Sequence, residues 1–203
     1  MSFVQVIDCR TTRYDEMMAL DTEWEQAVGG RSTLRRQIVT RFRDDPDHYA
    51  VFCFFDSYDS AMENSNLPET AAGAAAYAAL MDGPPTFHDL DIIEDRTLDA
   101  AAASKPGFLQ VIDLRTSRPE EMSSLDQEYE ASISDRTTVR RSLVGQDRNT
   151  AGRYLIVVLF DSYDSAMTNS NLPETSALAG KMGALVDGPP SFYDLDVLDD
   201  RTL

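Results

Sequence analysis

The chain repeats itself, and this internal repeat limits its fold more than any other feature of the sequence. A shift of 105 positions aligns Phe3–Leu98 with Phe108–Leu203 without a gap, and more than half of the aligned residues are identical. Self-similarity of this length indicates two copies of one structural unit. We therefore predict two domains, residues 1–98 and 107–203, joined by a linker at residues 99–106. The linker is rich in small residues, and we expect it to be partly helical.

The composition narrows the partners that the chain can have. Its 203 residues are 42% hydrophobic and carry a formal net charge of -17. An acidic surface repels nucleic-acid phosphates and anionic lipid headgroups, so neither nucleic acid nor a membrane is an expected partner. The N-terminal residues lack a signal-peptide pattern, and no apolar run is long enough to cross a bilayer. We expect a cytoplasmic protein.

The two cysteines do not predict a disulfide or a metal site. Cys9 and Cys53 stand where the second copy has Leu114 and Val158, so each thiol occupies a position that an aliphatic side chain also fills. This exchange indicates core packing. Two cysteines so placed give neither a disulfide framework nor a zinc site, and we predict no bound metal.

The first half of each copy has the pattern of a strand followed by a helix. The strand is FVQVIDCR in one copy and FLQVIDLR in the other. Thr12 and Asp15 have the spacing of a helix capping box, as do Ser117 and Glu120 in the second copy. One apolar helix face follows, formed by Met17, Leu20, Trp24 and Val28 and repeated as Met122, Leu125, Tyr129 and Ile133.

Three further apolar segments in each copy predict three more strands. In the first copy Thr33–Phe42 and Tyr49–Phe55 have the composition of two strands joined by a turn. A final strand is predicted at Phe87–Ile93 and, in the second copy, at Phe192–Leu198. The predicted order of elements is therefore strand, helix, strand, strand, helical segment, strand.

The second helical segment is predicted to be broken in the middle. Asp56 and Asp161 precede SYDSAM and are expected to cap its start. The segment is interrupted at NSNLPET, where Pro68 and Pro173 suit the first turn of a resumed helix because that position needs no backbone N–H donor.

The order βαββαβ is that of a ferredoxin-like unit, whose helices cover one face of a four-stranded antiparallel sheet. The opposite face needs a cover, and a second tandem copy supplies it. The predicted fold class is thus α+β, with two ferredoxin-like units forming an intramolecular pseudo-dimeric α/β barrel. With its motifs FDSYDSAM, NSNLPET and DGPP, the chain resembles the dimeric α/β-barrel superfamily, and in particular antibiotic-biosynthesis-monooxygenase-like proteins.

The resemblance implies a monooxygenase that works without a cofactor on an aromatic or polyketide-like substrate held between sheet and helices. Haem-binding members of the superfamily usually carry an axial histidine in the second helix, and neither copy has one there. We therefore predict no cofactor.

One segment is far more alike in the two copies than the rest. From Phe55 to Thr70 the copies differ at a single position. A structural interpretation is that the segment caps a helix, packs and fixes the helix break. A functional interpretation places the amides of Asn64 and Asn169, or the phenols of Tyr58 and Tyr163, at a pocket mouth where they bind a ligand carbonyl or hydroxyl.

Histidines and large aromatic residues are the other candidates. His88 and its counterpart Tyr193 are predicted on an apolar strand face as proton-transfer groups, with a packed or partly exposed side chain as the alternative. His48 lies at a loop edge and is expected to be solvated. Trp24 and Tyr129 are candidates for the walls of a ligand cavity, and the alternative is a core position.

Adjacent arginines in the second predicted strand complete the candidate set. Alternation directs one of Arg35 and Arg36, and one of Arg140 and Arg141, to the covered face of the sheet. A covered guanidinium needs an anionic ligand or a carboxylate of the protein. We take Arg35 and Arg140 as candidate ligand-binding residues and leave a salt bridge as the alternative.

Two functions remain open from the sequence. In the first, the chain is an enzyme in which Asn64 or Asn169 binds the substrate and His88 or Tyr193 moves a proton. In the second, it is a non-catalytic module that binds a ligand or serves assembly. In both, the partner is a small molecule, and pairing of the copies within one chain predicts a monomer that could still form a higher oligomer.

Overall fold

The computed structural model describes residues 3–98, 105–133 and 135–203. In the first copy the elements are β1 (Phe3–Arg10), α1 (Tyr14–Val28), β2 (Arg36–Phe42), β3 (His48–Phe55), α2 (Tyr58–Ser65), α3 (Pro68–Leu80) and β4 (Thr86–Thr97). In the second they are β5 (Phe108–Arg115), α4 (Pro119–Ile133), β6 (Arg141–Asp147), β7 (Arg153–Phe160), α5 (Tyr163–Ser170), α6 (Pro173–Met182) and β8 (Ser191–Thr202). The predicted helical character of the linker falls at residues 99–104, outside the described residues.

The strands confirm the predicted fold class. They follow the hydrogen-bonded order β1-β3-β2-β8-β5-β7-β6-β4 and close into a barrel. Within each copy the first strand lies between the third and the fourth, and all these pairings are antiparallel. This is the arrangement of two tandem ferredoxin-like βαββαβ copies in an α+β barrel.

The chain divides into two compact units that exchange the ends of their last strands. The first unit runs to Asp91 and includes Leu198–Leu203, and the second comprises Ile92–Val197. Each strand end is fixed by a backbone hydrogen bond within its unit. The N–H of Leu98 donates to the carbonyl of Arg140 at 2.9 Å, and that of Leu203 to the carbonyl of Arg35 at 3.0 Å.

Both last strands are longer than predicted. The sequence placed their ends at Ile93 and Leu198, whereas β4 continues to Thr97 and β8 to Thr202. The added residues are mostly charged, so apolar alternation does not reveal them. Ion pairs with residues distant in sequence take the place of apolar contacts in this part of the strands.

The predicted capping boxes at the first helices are wrong. α1 has no side-chain hydrogen bond at its N-cap, Arg13. The hydroxyl of Thr11 instead accepts the N–H of Arg13 at 2.9 Å and donates to the carbonyl of Leu80 at 2.7 Å. Thr116 does the same in the second copy. One buried threonine therefore fixes the helix entry in each copy, in place of Thr12 and Ser117.

The second helical segments are capped by serine. Ser57 and Ser162 form reciprocal capping boxes with Ser60 and Ser165. The predicted caps, Asp56 and Asp161, lie one residue earlier and pair with arginines instead. The break at NSNLPET and the resumption of the helix at Pro68 and Pro173 are confirmed.

Each unit has a core between its sheet and its short helix. Phe3 and Phe108 are fully buried at the same position of the two cores. Their rings contact Tyr58 and Tyr163 edge-on, with 5.4 Å between ring centroids in both cases. Both cysteines are buried thiols, as predicted.

Among the described residues, no helix combines the length and the apolar character that a membrane span requires.

Candidate functional site

The second unit contains a partly enclosed cavity of about 150 Å³ between its sheet and its helices. β5, β6 and β7 form its floor, and α4 and α6 form its sides. Ile93 and Glu94 of β4 also line it, as does Leu98, which follows that strand. Most of its lining is apolar and includes Ile112, Val144, Ile156, Met122, Leu178 and Met182. A concave apolar space with a few polar groups is the usual form of a small-molecule site.

A closed ring of hydrogen bonds occupies one part of the cavity wall. The Asn169 amide nitrogen donates to the Tyr129 hydroxyl at 3.1 Å, which lies 2.8 Å from the Thr175 hydroxyl. Thr175 in turn donates to the backbone carbonyl of Asn169 at 2.7 Å. Two predicted site residues, Tyr129 and Asn169, are thus brought together on the cavity. Their mutual bonds hold the wall in one conformation.

A second polar group on the cavity is a cluster of carboxylates around one guanidinium. Arg96, from the end of β4, lies 2.8 Å from Asp126 Oδ2 and 3.0 Å from Glu130 Oε1, and also pairs with Glu94. All three carboxylate residues line the cavity. The cluster is therefore net negative and lies beside apolar space.

Asp126 was not among the predicted site residues. Burial, which is the largest effect, raises the pKa of its carboxyl from 3.8 to about 6, while Arg96 opposes the rise. A sequence signal for it existed: an aspartate interrupts the apolar face of the first helix at the same place in both copies, as Asp21 and Asp126. A charged residue repeated on a core-facing stripe indicates a buried partner or a site.

In the first unit larger aromatic side chains, Trp24 and Tyr77, stand at positions that match the cavity wall of the second unit. Trp24 packs against the core cluster and donates its indole N–H to Thr70 at 3.0 Å. The ring of Tyr77 lies over Gly73, whose added Cβ would be 3.5 Å from it. Burial, followed by the Asp21 charge, raises the pKa of the Tyr77 phenol. The second copy has Tyr129, Met182 and Leu178 at the positions of Trp24, Tyr77 and Gly73.

The buried aspartate of the first unit, Asp21, has more hydrogen-bond partners than Asp126 has. Asp21 pairs with Arg201, which comes from the end of β8. Gln37 donates to Asp21 Oδ1 at 3.4 Å and accepts from Arg201 at 2.6 Å. The second copy has Ser142 in place of Gln37. A shorter side chain there leaves room beside Asp126.

His88 and Tyr193 lie on the face of the sheet away from this cavity. Tyr193 pairs with Val111, whereas the neighbours of Val111 in β5, Gln110 and Ile112, line the cavity. Side chains alternate along a strand and paired residues share a face, so Tyr193 is directed to the other side. His88 has the same register, opposite Val6. His88 is half-buried, and Tyr193 is 39% exposed.

The arginine candidates are paired with carboxylates. Arg35 contacts Asp56 through two nitrogens at 2.8 and 2.6 Å, and Arg140 lies 3.1 Å from Asp161. Their neighbours Arg36 and Arg141 pair in the same way with carboxylates of the last strands. These contacts are salt bridges within the protein, which is the alternative to ligand binding that the sequence left open.

The remaining candidates lie in the core or at its edge. Tyr58 and Tyr163 pack on the central phenylalanines. The side-chain oxygen of Asn64, at the helix break, accepts a hydrogen bond from the Ser32 hydroxyl at 3.1 Å. His48 is not simply solvated as predicted: its ring stacks on Phe42 at 3.7 Å between centroids and its Nε2 lies 2.8 Å from Asp8.

Among the described residues, no three His, Cys, Asp or Glu side chains converge in a way that could hold a metal ion.

Solved structures resemble this chain in fold, whereas the two sequence comparisons found no match. No protein-family profile matches it, and no curated protein is significantly similar in sequence. A proposed monooxygenase from Fusobacterium nucleatum subsp. nucleatum superposes with a TM-score of 0.78 at 10% identity, over 99% of this chain and 94% of that one. An anthrone oxidase-like protein gives 0.66 at 14% identity, over 99% and 93%.

A third solved structure has the same fold. An uncharacterised ferredoxin-fold protein from Listeria monocytogenes, related to antibiotic biosynthesis monooxygenases, gives a TM-score of 0.54 at 9% identity, over 98% of this chain and 96% of that one. Likeness at these identities concerns the fold. The chain therefore has the α/β-barrel fold of antibiotic-biosynthesis-monooxygenase-like proteins, in a two-copy form that spans nearly the whole length of each of these relatives.

Proposed function

We propose that the protein binds a small aromatic or polyketide-like molecule in the cavity of its second unit and acts on it as a monooxygenase without a cofactor. The observation that carries the proposal is the cavity itself, which combines about 150 Å³ of mostly apolar space with two separate polar groups. Apolar cavities of this size bind a benzene-like ring. A polycyclic molecule would place one ring inside and project through the open side.

The structural relatives support the reaction class. The anthrone oxidase-like protein and the proposed monooxygenase share the fold over nearly the whole chain. For an anthrone substrate, one oxygen atom of O₂ would enter the ring methylene as a ketone. The two hydrogens of that carbon would leave with the second oxygen atom as water.

Within this proposal Tyr129 forms an aromatic wall and Asn169 orients it through their hydrogen bond. Trp24 and Asn64 have the corresponding places in the first unit. His88 and Tyr193 receive no part in this cavity because they lie on the other face of the sheet.

The test is turnover of anthrone in air-saturated buffer, followed by anthraquinone absorbance and O₂ uptake. The variant Leu178→Gly/Met182→Tyr transplants the Gly73 and Tyr77 pair into the second unit and should reduce turnover at least tenfold. The exchange in the first unit, Gly73→Leu/Tyr77→Met, is the matched control and should leave the rate within twofold. Equal rates in both variants would remove the cavity from the reaction.

A non-catalytic binding protein is the second candidate. It is favoured by the hydrogen-bonded ring in which Tyr129 and Asn169 satisfy each other. Saturable binding of anthrone without O₂ uptake, lost in Leu178→Gly/Met182→Tyr, would establish this function instead.

We also propose that the protein acts in the cytoplasm as a monomer. Pairing of two copies within one chain removes the need for a partner chain. Native mass spectrometry should give the mass of one chain, and a stable dimer would contradict the monomer.

A further inference from the structure

We propose that Asp126 is the proton acceptor of the cavity and that the ligands it selects are neutral aromatic compounds with an acidic hydroxyl or enol group. This inference rests on the proposed function, because it needs a ligand in the cavity of the second unit.

The two carboxylate oxygens of Asp126 have different surroundings. Oδ2 accepts from Arg96 at 2.8 Å, which holds the carboxylate in place. Oδ1 receives no hydrogen bond from any residue that the structure describes, while Asp126 lines the cavity. A partly buried carboxylate oxygen without a donor is costly unless a ligand or water supplies one. Oδ1 is therefore the acceptor that the cavity presents.

The charges around Asp126 favour a neutral hydrogen-bond donor. The charged groups that face it are Arg96 and Glu94 from β4 and Glu130 from its own helix. The other titratable groups on the cavity wall are the phenols of Tyr129 and Tyr154. Three carboxylates around one guanidinium repel an anionic ligand. A hydroxyl or enol instead donates to Oδ1 without bringing a charge of its own.

The proposed step conserves charge within the cavity. The O–H bond of the ligand breaks, its electron pair stays on the ligand oxygen, and the proton forms a bond to Asp126 Oδ1. One negative charge moves from the carboxylate to the ligand, so the cluster around Arg96 keeps its total charge. Burial supports this role, since it raises the pKa of the Asp126 carboxyl to about 6 and makes it a stronger base than an exposed aspartate.

The first unit provides an internal control for this assignment. There Gln37 donates to Asp21 Oδ1 and so occupies the oxygen that corresponds to the free one. The substitution Ser142→Gln should place the same amide against Asp126 Oδ1. It removes the acceptor without removing the carboxylate, and it therefore complements Asp126→Asn if that variant folds poorly.

The experiment is calorimetric titration of 1-naphthol and of naphthalene, which lacks the hydroxyl, between pH 5 and pH 7. Asp126 loses its proton as the pH rises through its pKa of about 6. The affinity for 1-naphthol should therefore increase up to about tenfold over this range, and that for naphthalene should not change. Asp126→Asn and Ser142→Gln should lose the pH dependence and bind 1-naphthol about tenfold more weakly at pH 7.

The variant Asp21→Asn is the matched control and should behave like the wild type. Equal, pH-independent binding of both compounds by the wild type would overturn the role of Asp126 and leave the cavity as a binding site. If the wild type bound neither compound, the proposed function would fail, and the role of Asp126 with it.

Discussion

The two units share a backbone plan but differ in what lies between sheet and first helix. In the first unit Trp24 packs against the core cluster, Tyr77 lies over Gly73, and Val39 on the sheet is only 3% exposed. In the second unit the same region is a cavity, and the equivalent valine, Val144, is half-buried on its floor. The difference depends on a few side chains rather than on the fold.

This contrast shows how two fused copies can share one backbone plan while only one of them keeps an open interior. The fully buried phenylalanine at the centre of each core, Phe3 or Phe108, is present in both units, and so is the arginine that each last strand supplies. Changes at the cavity positions leave these features intact. One copy can therefore keep a well-filled interior while the other keeps an open one.

The largest predicted effect tests the part that the units share. Phe3→Ala and Phe108→Ala should each lower the free energy of unfolding by about 3–5 kcal/mol, because both rings are fully buried. Urea denaturation would measure both. The two values should agree within about 1 kcal/mol. A much smaller effect for Phe108→Ala would mean that the second core is loosely packed as a whole.

The second prediction concerns the exchanged strand ends. Arg201→Gln and Arg96→Gln should each cost about 2–3 kcal/mol, because each leaves a cluster of partly buried carboxylates without its cation. Arg201→Gln should cost more, since Gln37 also loses its 2.6 Å partner. Thermal and urea unfolding would measure the loss of stability in both variants. A loss below about 0.5 kcal/mol in both would mean that these contacts contribute no more than surface ion pairs do.

Ile7 and Ile112 are identical residues at matching positions, and they test how tightly each unit is packed. Ile7 packs against the core cluster of the first unit, whereas its counterpart Ile112 lines the cavity. Ile7→Ala should cost about 3 kcal/mol and Ile112→Ala about 1–2 kcal/mol, because a side chain beside empty space has fewer contacts to lose. Equal losses in urea denaturation would indicate that the two environments are equally packed.

The smallest predicted effect is a pH dependence of the stability that comes from Asp126 in the second unit. Its folded pKa of about 6 lies above the ordinary 3.8, so the folded state binds the proton more tightly than the unfolded state. Stability is therefore lost as pH rises from about 4 to about 6. Asp126→Asn should remove this loss of stability. We expect the loss to be about 1–2 kcal/mol, because the Asp126 side chain is 31% exposed and solvent weakens the effect.

The measurement is the difference between wild-type and Asp126→Asn unfolding free energies at pH 4, 5, 6 and 7. Asp21→Asn is the control for a change at the same helix position. A flat difference curve would contradict the raised pKa of Asp126.

Local sequence signals predicted most of the fold. The repeat gave the element order, and Pro68 and Pro173 marked the resumed helices because proline suits a first helical turn. The caps were misplaced by one residue, since aspartate and serine are both good caps and only the structure shows that Asp56 is engaged by Arg35.

The sequence did not reveal the features that depend on distant contacts. The charged ends of β4 and β8 have no apolar alternation, and their partners lie in another part of the chain. Tyr129 and Asn169 could be proposed from their residue types and positions in the repeat, whereas the repeat of Asp21 as Asp126 did not by itself indicate a site. The role of Asp126 depends on Arg96, 30 positions away, and on the short side chain of Ser142.

A crystal structure of the protein under xenon pressure would show directly whether the second unit alone has an open apolar interior, because xenon enters empty apolar cavities without needing a specific ligand. We predict a xenon atom in the second unit against Ile112, Val144 and Ile156, and none at the equivalent place beside Trp24 and Tyr77. Equal occupancy in both units, or occupancy of the first unit alone, would mean that the interior of the second unit is not the more open one.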